Sequence, residues 1–360
     1  MSGLLCYCRS GFEPELAAEL GERAANAGQH GYAATERGSG FVRFIAPGGD
    51  AGALSQALPW RSLVFARQKL VLLGELDALD TTDRVTPVLA ALQRHVDAAG
   101  GGLRAAFGTM VVEHPDSDEA RPLAGLARAL GNALRPALRK AGLLAAKDDA
   151  RRPALHVCLL AGNHLLLATA DPGDASPWPM GVPRLRLHRD APSRSALKLE
   201  EAFLTLLDEG ERDRLLRRGM TAADLGAAPG GWTWVLQRAG LQVSAVDNGP
   251  LRQHVIDGGG VEHLREDGFR WQPPRPLDWM VCDMVEQPRR VASRMATWFR
   301  EGWCRQAVFN LKLPMKKRWL ETSLCLELFS REAQRPLQLR ARQLYHDREE
   351  ITVLAMPKGG

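Results

Sequence analysis

Strand-like and helix-like segments alternate from residue 196 to the end of the chain, and this alternation limits the possible folds more than any other feature. In order, the pattern predicts helix 196–216, strand 222–226, helix 232–239, strand 242–247, a helix or turn, strand 277–284, helix 291–301, strand 306–313, helix 319–330 and strands 338–344 and 350–356. A helix between two strands carries the chain back to the same edge of a sheet, so that the strands pair in parallel. We therefore predict a doubly wound α/β sheet, closed at its C-terminal end by antiparallel strands.

The first half of the chain predicts further α/β units with shorter elements. Its expected elements are a short apolar segment 4–8, helix 13–27, strands 40–46 and 63–73, helix 83–98, strand 103–113, helix 120–141 and strands 154–162 and 164–170. The stretch 171–184 contains four prolines and two glycines, a composition typical of a linker. The expected domains are residues 1–75, residues 76–172, a linker over 173–190, and residues 191–360.

The charge and cysteine content set limits on partners and location. A net charge of +5 and a pI near 9.0 allow a polyanionic partner. Basic runs at 184–198 and 312–318 flank the glycine-rich region, although a solvated face explains either run alone. The six cysteines are scattered, without a CxxC pair or a histidine at ligand spacing, which favours reduced thiols in a cytoplasmic protein and no metal site. No stretch has the length and apolarity of a membrane span, and the N-terminus does not fit a signal peptide.

The sequence DLGAAPGGW at residues 224–232 places a glycine-rich turn between a predicted strand and a predicted helix. Gly226, Gly230 and Gly231 miss the G-x-G-x-x-G spacing of dinucleotide-binding folds, and no Lys-Ser/Thr follows to form a phosphate-binding loop. Glycines at the carboxyl end of a strand still allow an extended ligand to lie against the backbone. The turn therefore predicts a ligand of another kind.

Three aspartates follow successive segments after this turn. Asp247 ends the next strand about 20 residues on, where such folds place a carboxylate that binds a ribose diol. Asp267 and Asp283 end the two segments that follow. A rim of carboxylates repels a pyrophosphate and attracts a cationic nucleoside such as a sulfonium. A turn that only caps the fold, with surface aspartates, explains Asp247 alone equally well, whereas the ordered set favours the ligand.

Four motifs resemble those of RNA 2′-O-ribose methyltransferases with an FtsJ-type Rossmann fold: DLGAAPGGWTW, VSAVDNG, DWMVCDMVEQP and VFNLKLPMKKR. More narrowly, these motifs and the N-terminal YCRSGFEPELAAEL resemble the RlmM group, so the similarity spans nearly the whole chain. The resemblance implies a C-terminal Rossmann-like methyltransferase domain that uses S-adenosylmethionine, and an N-terminal α/β region with ferredoxin-like and THUMP-type RNA-binding parts. It also implies methylation of a cytidine ribose in 23S ribosomal RNA, free or in a pre-ribosomal particle.

The resemblance further implies a catalytic Lys-Asp-Lys-Glu set. It falls on Lys198, Asp283, Lys312 and Glu350, and Glu349 is the adjacent alternative for the last position. The place of Glu350 directly before the strand ITVLAM favours it over its neighbour.

Contacts to the cofactor are implied for a second group of residues. They are Ser195, Gly226, Ala228, Pro229, Gly230, Gly231, Asp247, Asp267 and Asp283. For Ser195, a helix N-cap is an equally good explanation.

The chemistry of ribose methylation agrees with the catalytic set. A ribose hydroxyl is a poor nucleophile and must lose its proton as it attacks the methyl group in line. A lysine accepts that proton only if its pKa is lowered, by burial or by a second cation. We expect Lys198 and Lys312 to lower each other's pKa, with Lys312 as the general base and Asp283 and Glu350 orienting the ammonium groups. A solvated lysine is the structural alternative for Lys198, whereas Lys312 follows an apolar strand, where a charge is costly.

Basic residues outside the tetrad are candidates for RNA contacts. Lys316, Lys317 and Arg318 are predicted to bind RNA phosphate, with a solvated helix start as the alternative. In the N-terminal half the candidates are Arg67, Lys69, Arg135, Arg139 and Lys140, and a structural charge is the favoured interpretation for each.

Three other classes compete with this interpretation. A non-catalytic RNA-binding or ribosome-assembly protein could keep the fold as a relic, but it need not retain the four catalytic positions. A nicotinamide dehydrogenase is disfavoured by the missing glycine spacing and the acidic rim. Cys282 ends an apolar strand and is expected to be a packed thiol, not the nucleophile of a pyrimidine-carbon methyltransferase. We therefore predict a cytoplasmic, monomeric rRNA methyltransferase that needs no metal, and the residues alone leave the target nucleotide open.

Overall fold

The computed structural model describes residues 3–98 and 106–358 of the chain. The chain divides into two compact units, with the boundary between Val182 and Pro183. Within the described ranges, no helix is long and apolar enough to cross a membrane.

The first unit contains seven described strands in one sheet, with the order β2-β3-β1-β4-β7-β6-β5. Its elements are β1 (Gly3–Tyr7), α1 (Glu13–Asn26), β2 (Tyr32–Thr35), β3 (Phe41–Ile45), α2 (Ala51–Ala57), β4 (Gln68–Leu76), α3 (Val85–Ala98), β5 (Thr109–Glu113), α4 (Ala124–Lys140), β6 (Ala154–Ala161) and β7 (His164–Ala170). Part of the predicted strand 103–113, residues 103–105, lies outside the described residues. The pattern missed β2 and α2, which have only four and seven residues.

The first elements of this unit form a ferredoxin-like arrangement, as predicted. The chain order is βαββαβ over β1 to β4, and the strands lie side by side as β2-β3-β1-β4 with antiparallel pairing. The sheet then continues without a break, because β4 also pairs with β7. The predicted domain limit at residue 75 falls inside β4, at this junction.

The prediction of a strand over 63–73 is wrong for its first half, because β4 begins only at Gln68. The preceding backbone amides are engaged by a side chain instead of a neighbouring strand. Val64 and Phe65 donate hydrogen bonds of 2.7 and 2.9 Å to the carboxylate of Glu19, which is fully buried on α1. A buried carboxylate needs such donors, and here it takes those that a sheet would use.

The proline-rich stretch after β7 is held against the first unit as far as residue 182. The side-chain amide of Gln68 donates to the Ser176 carbonyl at 2.9 Å and its oxygen accepts from the Ser176 amide at 2.8 Å. Lys69 is buried and forms an ion pair with Asp174, and Arg67 is buried beside Asp116 at 3.1 Å. These two charges of the first half are therefore structural.

The second unit contains a mainly parallel sheet, with the described strands in the order β10-β9-β8-β11-β12-β14-β13. Its elements are α5 (Ala196–Leu206), α6 (Glu209–Leu215), β8 (Thr221–Leu225), α7 (Gly231–Arg238), β9 (Gln242–Val246), α8 (Gln253–Asp257), β10 (Val261–Leu264), β11 (Leu277–Cys282), α9 (Pro288–Arg300), β12 (Cys304–Lys312), α10 (Arg318–Ala333), β13 (Leu337–Arg342) and β14 (Glu350–Pro357). The strands from β10 to β12 pair in parallel, and β14 and β13 close the sheet in antiparallel. The predicted doubly wound α/β sheet with antiparallel closure is confirmed.

The predicted single helix over 196–216 is wrong, because the chain breaks between α5 and α6. Asp208 caps α6 with a reciprocal pair of hydrogen bonds: its carboxylate accepts from the Glu211 amide at 2.8 Å, and the Glu211 carboxylate accepts from the Asp208 amide at 2.8 Å. A capping box starts a new helix at a fixed residue, and apolar periodicity does not reveal it.

The strand order reverses between β8 and β11, and this reversal positions the site. After β8 the chain builds the sheet in one direction through β9 and β10, and it then returns to place β11 on the other side of β8. The loops at the carboxyl ends of β8 and β11 separate to opposite faces there and leave a crevice, where α/β folds bind their ligands. Gly226 follows β8 and Asp283 follows β11, so both predicted site segments lie at this crevice.

Candidate active site

The structure brings the four predicted catalytic side chains together as two lysines alternating with two carboxylates. Lys198 Nζ lies 3.1 Å from Asp283 Oδ2 and 2.5 Å from Glu350 Oε1. Lys312 Nζ lies 2.5 Å from Asp283 Oδ1 and also bonds Glu350 Oε2. Each ammonium group therefore contacts both carboxylates, and the formal charges of this tetrad cancel.

Strand register accounts for the meeting of residues that are far apart in the chain. Lys312 and Glu350 are direct partners in the antiparallel pair of β12 and β14, so their side chains lie on the same face. Asp283 follows the parallel neighbour β11, at the same edge of the sheet. Lys198 comes from the first turn of α5.

The same register separates the two adjacent glutamates. The Glu350 side chain is 5% exposed within the tetrad, whereas Glu349 points away and pairs with Arg318 at 2.6 Å. Glu349 directly precedes β14, and successive residues of an extended chain face opposite sides, so only one of the pair reaches the lysines. The geometry supports Glu350 as the fourth member.

The charge state of Lys312 differs from the expectation. Desolvation is the largest single effect and lowers the pKa of Lys312, but the attraction of Asp283 and Glu350 outweighs it, and the pKa is raised. For Asp283, desolvation raises the pKa, and the two lysines together lower it below its ordinary value. The expected lowering of the Lys312 pKa by Lys198 is therefore wrong for the site without its substrates, because two carboxylates face each ammonium group.

A buried polar chain beneath the tetrad escaped the sequence analysis. Asn310 donates from Nδ2 to Asp283 Oδ1 at 2.9 Å, and its Oδ1 lies 2.7 Å from the Thr352 hydroxyl. That hydroxyl also lies 3.0 Å from Asp347 Oδ2, and burial raises the pKa of Asp347. A protonated Asp347 can donate to Thr352, which leaves the single hydroxyl proton for Asn310. The signal in the sequence was a polar residue in the middle of each apolar strand.

A cavity of about 250 Å³ adjoins the tetrad and is lined by most of the glycine-rich turn. Its lining residues are Ser193, Ser195, Asp224, Gly226, Ala227, Ala228, Pro229, Trp232 and Asp283. A second cleft shares Ala228 and Pro229 and continues along Pro250, Leu251, Arg252 and Gln253. Five of the predicted cofactor residues therefore line the cavity, namely Ser195, Gly226, Ala228, Pro229 and Asp283.

The three glycines of the turn serve different purposes. Gly226 has φ +79° and faces Met284, whose Cγ would lie 2.5 Å from an added Cβ. Gly230 has φ +109° and is the N-cap residue directly before α7. Gly231 packs on the hydroxyls of Ser195 and Ser193, which would lie 2.2 and 2.5 Å from an added Cβ. Gly226 and Gly231 are thus required by close packing of the protein itself around the cavity, and Gly230 by its left-handed backbone.

Ser195 does not act as the helix cap that the alternative proposed. It precedes α5 without a capping side-chain bond, and its hydroxyl instead lies 2.6 Å from that of Ser193. Both hydroxyls line the cavity. The cap interpretation is therefore wrong, and a contact to a ligand stays open to Ser195.

Of the three aspartates of the predicted acidic rim, Asp283 lines the cavity, whereas Asp247 and Asp267 are not among its lining residues. Asp247 accepts from the amides of Ala228 at 2.9 Å and Gly249 at 2.7 Å, so it shapes the turn. Asp267 is half exposed, accepts from the Phe269 amide, and adjoins Gly268 at the turn's edge.

Asp224, which the sequence analysis did not select, is the buried acid of the cavity. It is 1% exposed, and its Oδ2 accepts from the Thr233 hydroxyl at 2.6 Å. Burial raises its pKa to about 7, with Asp283 and Asp247 adding to the shift. With Asp283, it makes the cavity wall more negative as pH rises through neutrality, which suits a cationic ligand.

The remaining candidates fall into exposed and paired groups. Lys316 and Lys317 are exposed, whereas the Arg318 side chain is 10% exposed and paired with Glu349. Arg135 and Arg139 both reach Asp148, at 3.3 and 2.9 Å, and Lys140 is exposed.

Two further expectations concern the thiol of Cys282 and the binding of a metal ion. The Cys282 thiol is fully buried, and burial raises its pKa to about 12, which fits the expected packed thiol. Across residues 3–98 and 106–358, no three His, Cys, Asp or Glu side chains are grouped as a metal would require.

Three protein-family profiles match successive parts of the chain. They are described as "RlmM ferredoxin-like domain" over residues 1–70, "Ribosomal RNA large subunit methyltransferase M, N-terminal" over 83–170, and "FtsJ-like methyltransferase" over 191–325. The first profile covers the ferredoxin-like arrangement, the second covers the rest of the strands of the first unit, and the third covers most of the unit with the crevice.

Relatives match over nearly the full length. "Ribosomal RNA large subunit methyltransferase M" of Xanthomonas axonopodis pv. citri is 66% identical over 99% of both chains, and the protein of the same name from Xanthomonas euvesicatoria pv. vesicatoria is 65% identical with the same coverage. Among solved structures, TrmN from Thermus thermophilus covers 99% of both chains at 16% identity and a TM-score of 0.35, a likeness too weak to bear on function.

Proposed function

Because the chain belongs to the ribosomal RNA large subunit methyltransferase M family, we propose that it methylates the 2′-hydroxyl of a cytidine ribose in 23S ribosomal RNA, with S-adenosylmethionine as the methyl donor. The chain is an rRNA methyltransferase by this membership. The observation that carries the choice of a hydroxyl as acceptor is the tetrad of Lys198, Asp283, Lys312 and Glu350 beside the glycine-lined cavity.

The cavity residues fit such a donor. When bound, S-adenosylmethionine supplies a methyl group on a positively charged sulfur. The molecule carries no phosphate. Asp224 and Asp283 provide negative charge in the cavity wall, and Ser193 and Ser195 provide hydroxyls. The cleft along Pro250 and Leu251 offers an apolar surface to a base. We assign Asp247 and Asp267 to the donor's rim as well, since both lie at the turn.

Lys312 is the proposed general base, and its Nζ receives the proton that the ribose hydroxyl loses. Its raised pKa must fall before it can do so. A positive charge placed next to Asp283 lowers the pKa of Lys312, because it offsets the carboxylate that stabilises the ammonium form. Asp283 and Glu350 hold both lysines in place, and Lys198 supplies the second positive charge.

The test replaces Lys312 and measures methyl transfer to unmodified 23S rRNA prepared by in vitro transcription. We expect Lys312→Ala to lower the single-turnover rate by about 10²–10⁴-fold, the usual contribution of a general base. The matched control is Lys358→Ala. Lys358 is exposed and follows the last residue of β14, whereas Glu350 is the first residue of that strand, so this variant should keep the rate of the unaltered chain. Full activity of Lys312→Ala would refute the assignment.

The non-catalytic alternative makes a different prediction for the donor. Calorimetry should detect S-adenosylmethionine binding to the unaltered chain and to Lys312→Ala, because Lys312 does not line the cavity. A chain that binds rRNA but no donor would instead be an assembly factor. An rRNA substrate, free or in a pre-ribosomal particle, implies work in the cytoplasm, and we propose that the chain acts as a monomer.

A further inference from the structure

Two strongly exposed apolar side chains flank the tetrad. Val285 is 89% exposed and Met315 is 72% exposed, which makes them the most exposed large apolar side chains in the described part of the molecule. They lie in the loops after β11 and β12, which are parallel neighbours in the sheet. Val285 stands two residues after Asp283, and Met315 stands three residues after Lys312. Both loops therefore leave the sheet at the edge that carries the tetrad.

Contacts on either side of these residues fix both loops. Met284 packs over Gly226, so the backbone next to Val285 is held against the glycine-rich turn. The Leu313 amide donates to the Glu349 carbonyl at 2.7 Å, which holds the loop of Met315. The helices that follow the loops are joined by the ion pair of Arg289 with Glu321, at 2.8 Å. Val285 and Met315 thus project from anchored loops, where they are available for a contact.

Two cations adjoin this apolar pair. Lys316 and Lys317 follow Met315 directly and are exposed, and no described residue pairs with either side chain. Lys317 adopts φ +57°, which turns the chain into α10. Arg318, the next residue, is engaged with Glu349. An apolar surface next to free positive charge complements a nucleotide, which offers the flat face of a base and the charge of a phosphate.

We propose that Val285, Met315, Lys316 and Lys317 form the subsite for the acceptor nucleotide. Val285 and Met315 pack against the base after it leaves its stack, and Lys316 and Lys317 bind the adjoining phosphates. This arrangement holds the ribose over the tetrad, where its 2′-hydroxyl can reach Lys312. The inference rests on the proposed function, because it takes ribose methylation of rRNA as the reaction. An enzyme that acts on a nucleotide inside a folded RNA needs such a surface to replace the stacking that the base gives up.

The apolar half of the subsite is tested with the double substitution Val285→Ser and Met315→Ser in the full chain. With in vitro transcribed 23S rRNA we expect methyl transfer at limiting RNA to fall at least about tenfold, within the range of a lost base contact. S-adenosylmethionine affinity, measured by calorimetry, should stay unchanged. The control is Leu187→Ser, which removes an apolar side chain of 43% exposure from the same unit and should leave the rate unchanged.

The cationic half is tested with Lys316→Gln and Lys317→Gln together, measured as RNA affinity over a range of salt concentrations. Two lost contacts on single-stranded RNA should reduce the slope of log affinity against log salt by roughly 1.4. The Val285→Ser, Met315→Ser chain should keep the slope, because it loses no charge. If the loops had only a structural role, the two double variants would not differ in this way in the slope of RNA affinity against salt.

The outcomes separate this inference from the proposed function. If the unaltered chain transfers no methyl group to rRNA, the proposed function fails, and RNA affinity measured by filter binding still tests the subsite. If the unaltered chain is active and the Val285→Ser, Met315→Ser chain matches it at limiting RNA, the apolar half is overturned. An unchanged salt slope after Lys316→Gln and Lys317→Gln overturns the cationic half.

Discussion

At the scale of single residues, the state of Lys312 controls what the tetrad can do. An ordinary lysine pKa of about 10.4 leaves roughly one side chain in 2,500 neutral at pH 7. Asp283 and Glu350 raise the pKa of Lys312 further, so the neutral amine is rarer still. If that amine accepts the proton, its small population limits the reaction near neutrality.

The methyl-transfer rate should therefore rise with pH. At saturating donor and RNA the rate follows the pKa that Lys312 has in the complex, so we expect close to a tenfold increase per pH unit below that pKa and a plateau above it, because the neutral fraction of the amine grows tenfold per unit there. Single-turnover rates at saturating donor and RNA measure this directly. Saturation is essential, since burial raises the pKa of Asp224 to about 7, and we expect its ionisation to change donor affinity in the same range. A rate independent of pH would show that Lys312 acts as a fixed ammonium group and not as the base.

At the scale of elements, the turn between β8 and α7 is built for close approach. Gly226 meets Met284 of the loop after β11, and these two loops border the crevice at which the strand order reverses. Room for a ligand, which the sequence predicts, is only part of the reason why this turn needs glycine. At Gly226 the first neighbour is another loop of the protein, and the cavity follows from how the two loops fit together.

Gly226→Ala should weaken S-adenosylmethionine binding at least about tenfold, and Gly219→Ala is its matched control. Both glycines have positive φ, +79° and +88°, so both substitutions carry the same backbone strain of about 1–2 kcal/mol. An added Cβ at Gly226 would lie 2.5 Å from Met284 Cγ, whereas at Gly219 it would meet nothing within 4 Å. Calorimetry and thermal unfolding of both variants separate strain from collision. Equal donor affinity in the two would remove the role given to the contact with Met284.

At the scale of the whole molecule, the described site residues lie in one of the two units. The tetrad, the cavity and the exposed Lys316 and Lys317 all belong to the unit that begins at Pro183. The first unit matches the N-terminal profiles of the family, and the residues that line the cavity are all from the second unit. Its THUMP-type RNA-binding role remains a prediction from the resemblance.

A chain that begins at Pro183 should fold, bind S-adenosylmethionine with the affinity of the full chain, and require at least about tenfold more rRNA for half-maximal methyl transfer. The residues that line the cavity all lie within this unit, so donor affinity should be kept. RNA affinity should fall because the predicted contacts of the first unit are lost, and each tenfold loss of affinity corresponds to about 1.4 kcal/mol of binding free energy. Calorimetry and the dependence of rate on RNA concentration give the two quantities. If the shortened chain uses rRNA as efficiently as the full chain, the first unit is not an RNA-binding region.

The sequence alone determined the order of most elements and the doubly wound sheet, because apolar periodicity reports which faces are buried and a glycine turn after an apolar strand is recognisable from local residues. Lys198, Asp283 and Lys312 were predicted as members of the tetrad from the family resemblance of the motifs around them. The break at Asp208 and the amides of Val64 and Phe65 bound by Glu19 were missed, because side-chain bonds to the backbone override periodicity.

Only the tertiary structure placed Glu350, and not Glu349, beside the two lysines, joined Asn310 to Thr352 and Asp347, and set the direction of the Lys312 pKa shift. Each of these depends on the register between strands that lie about 40 residues apart in the chain or on the distances among charges that the register brings together. A shift of β14 by one residue would turn Glu350 away from Lys312 and leave the same sequence without the tetrad. Long-range register, which no local pattern encodes, therefore completes the site.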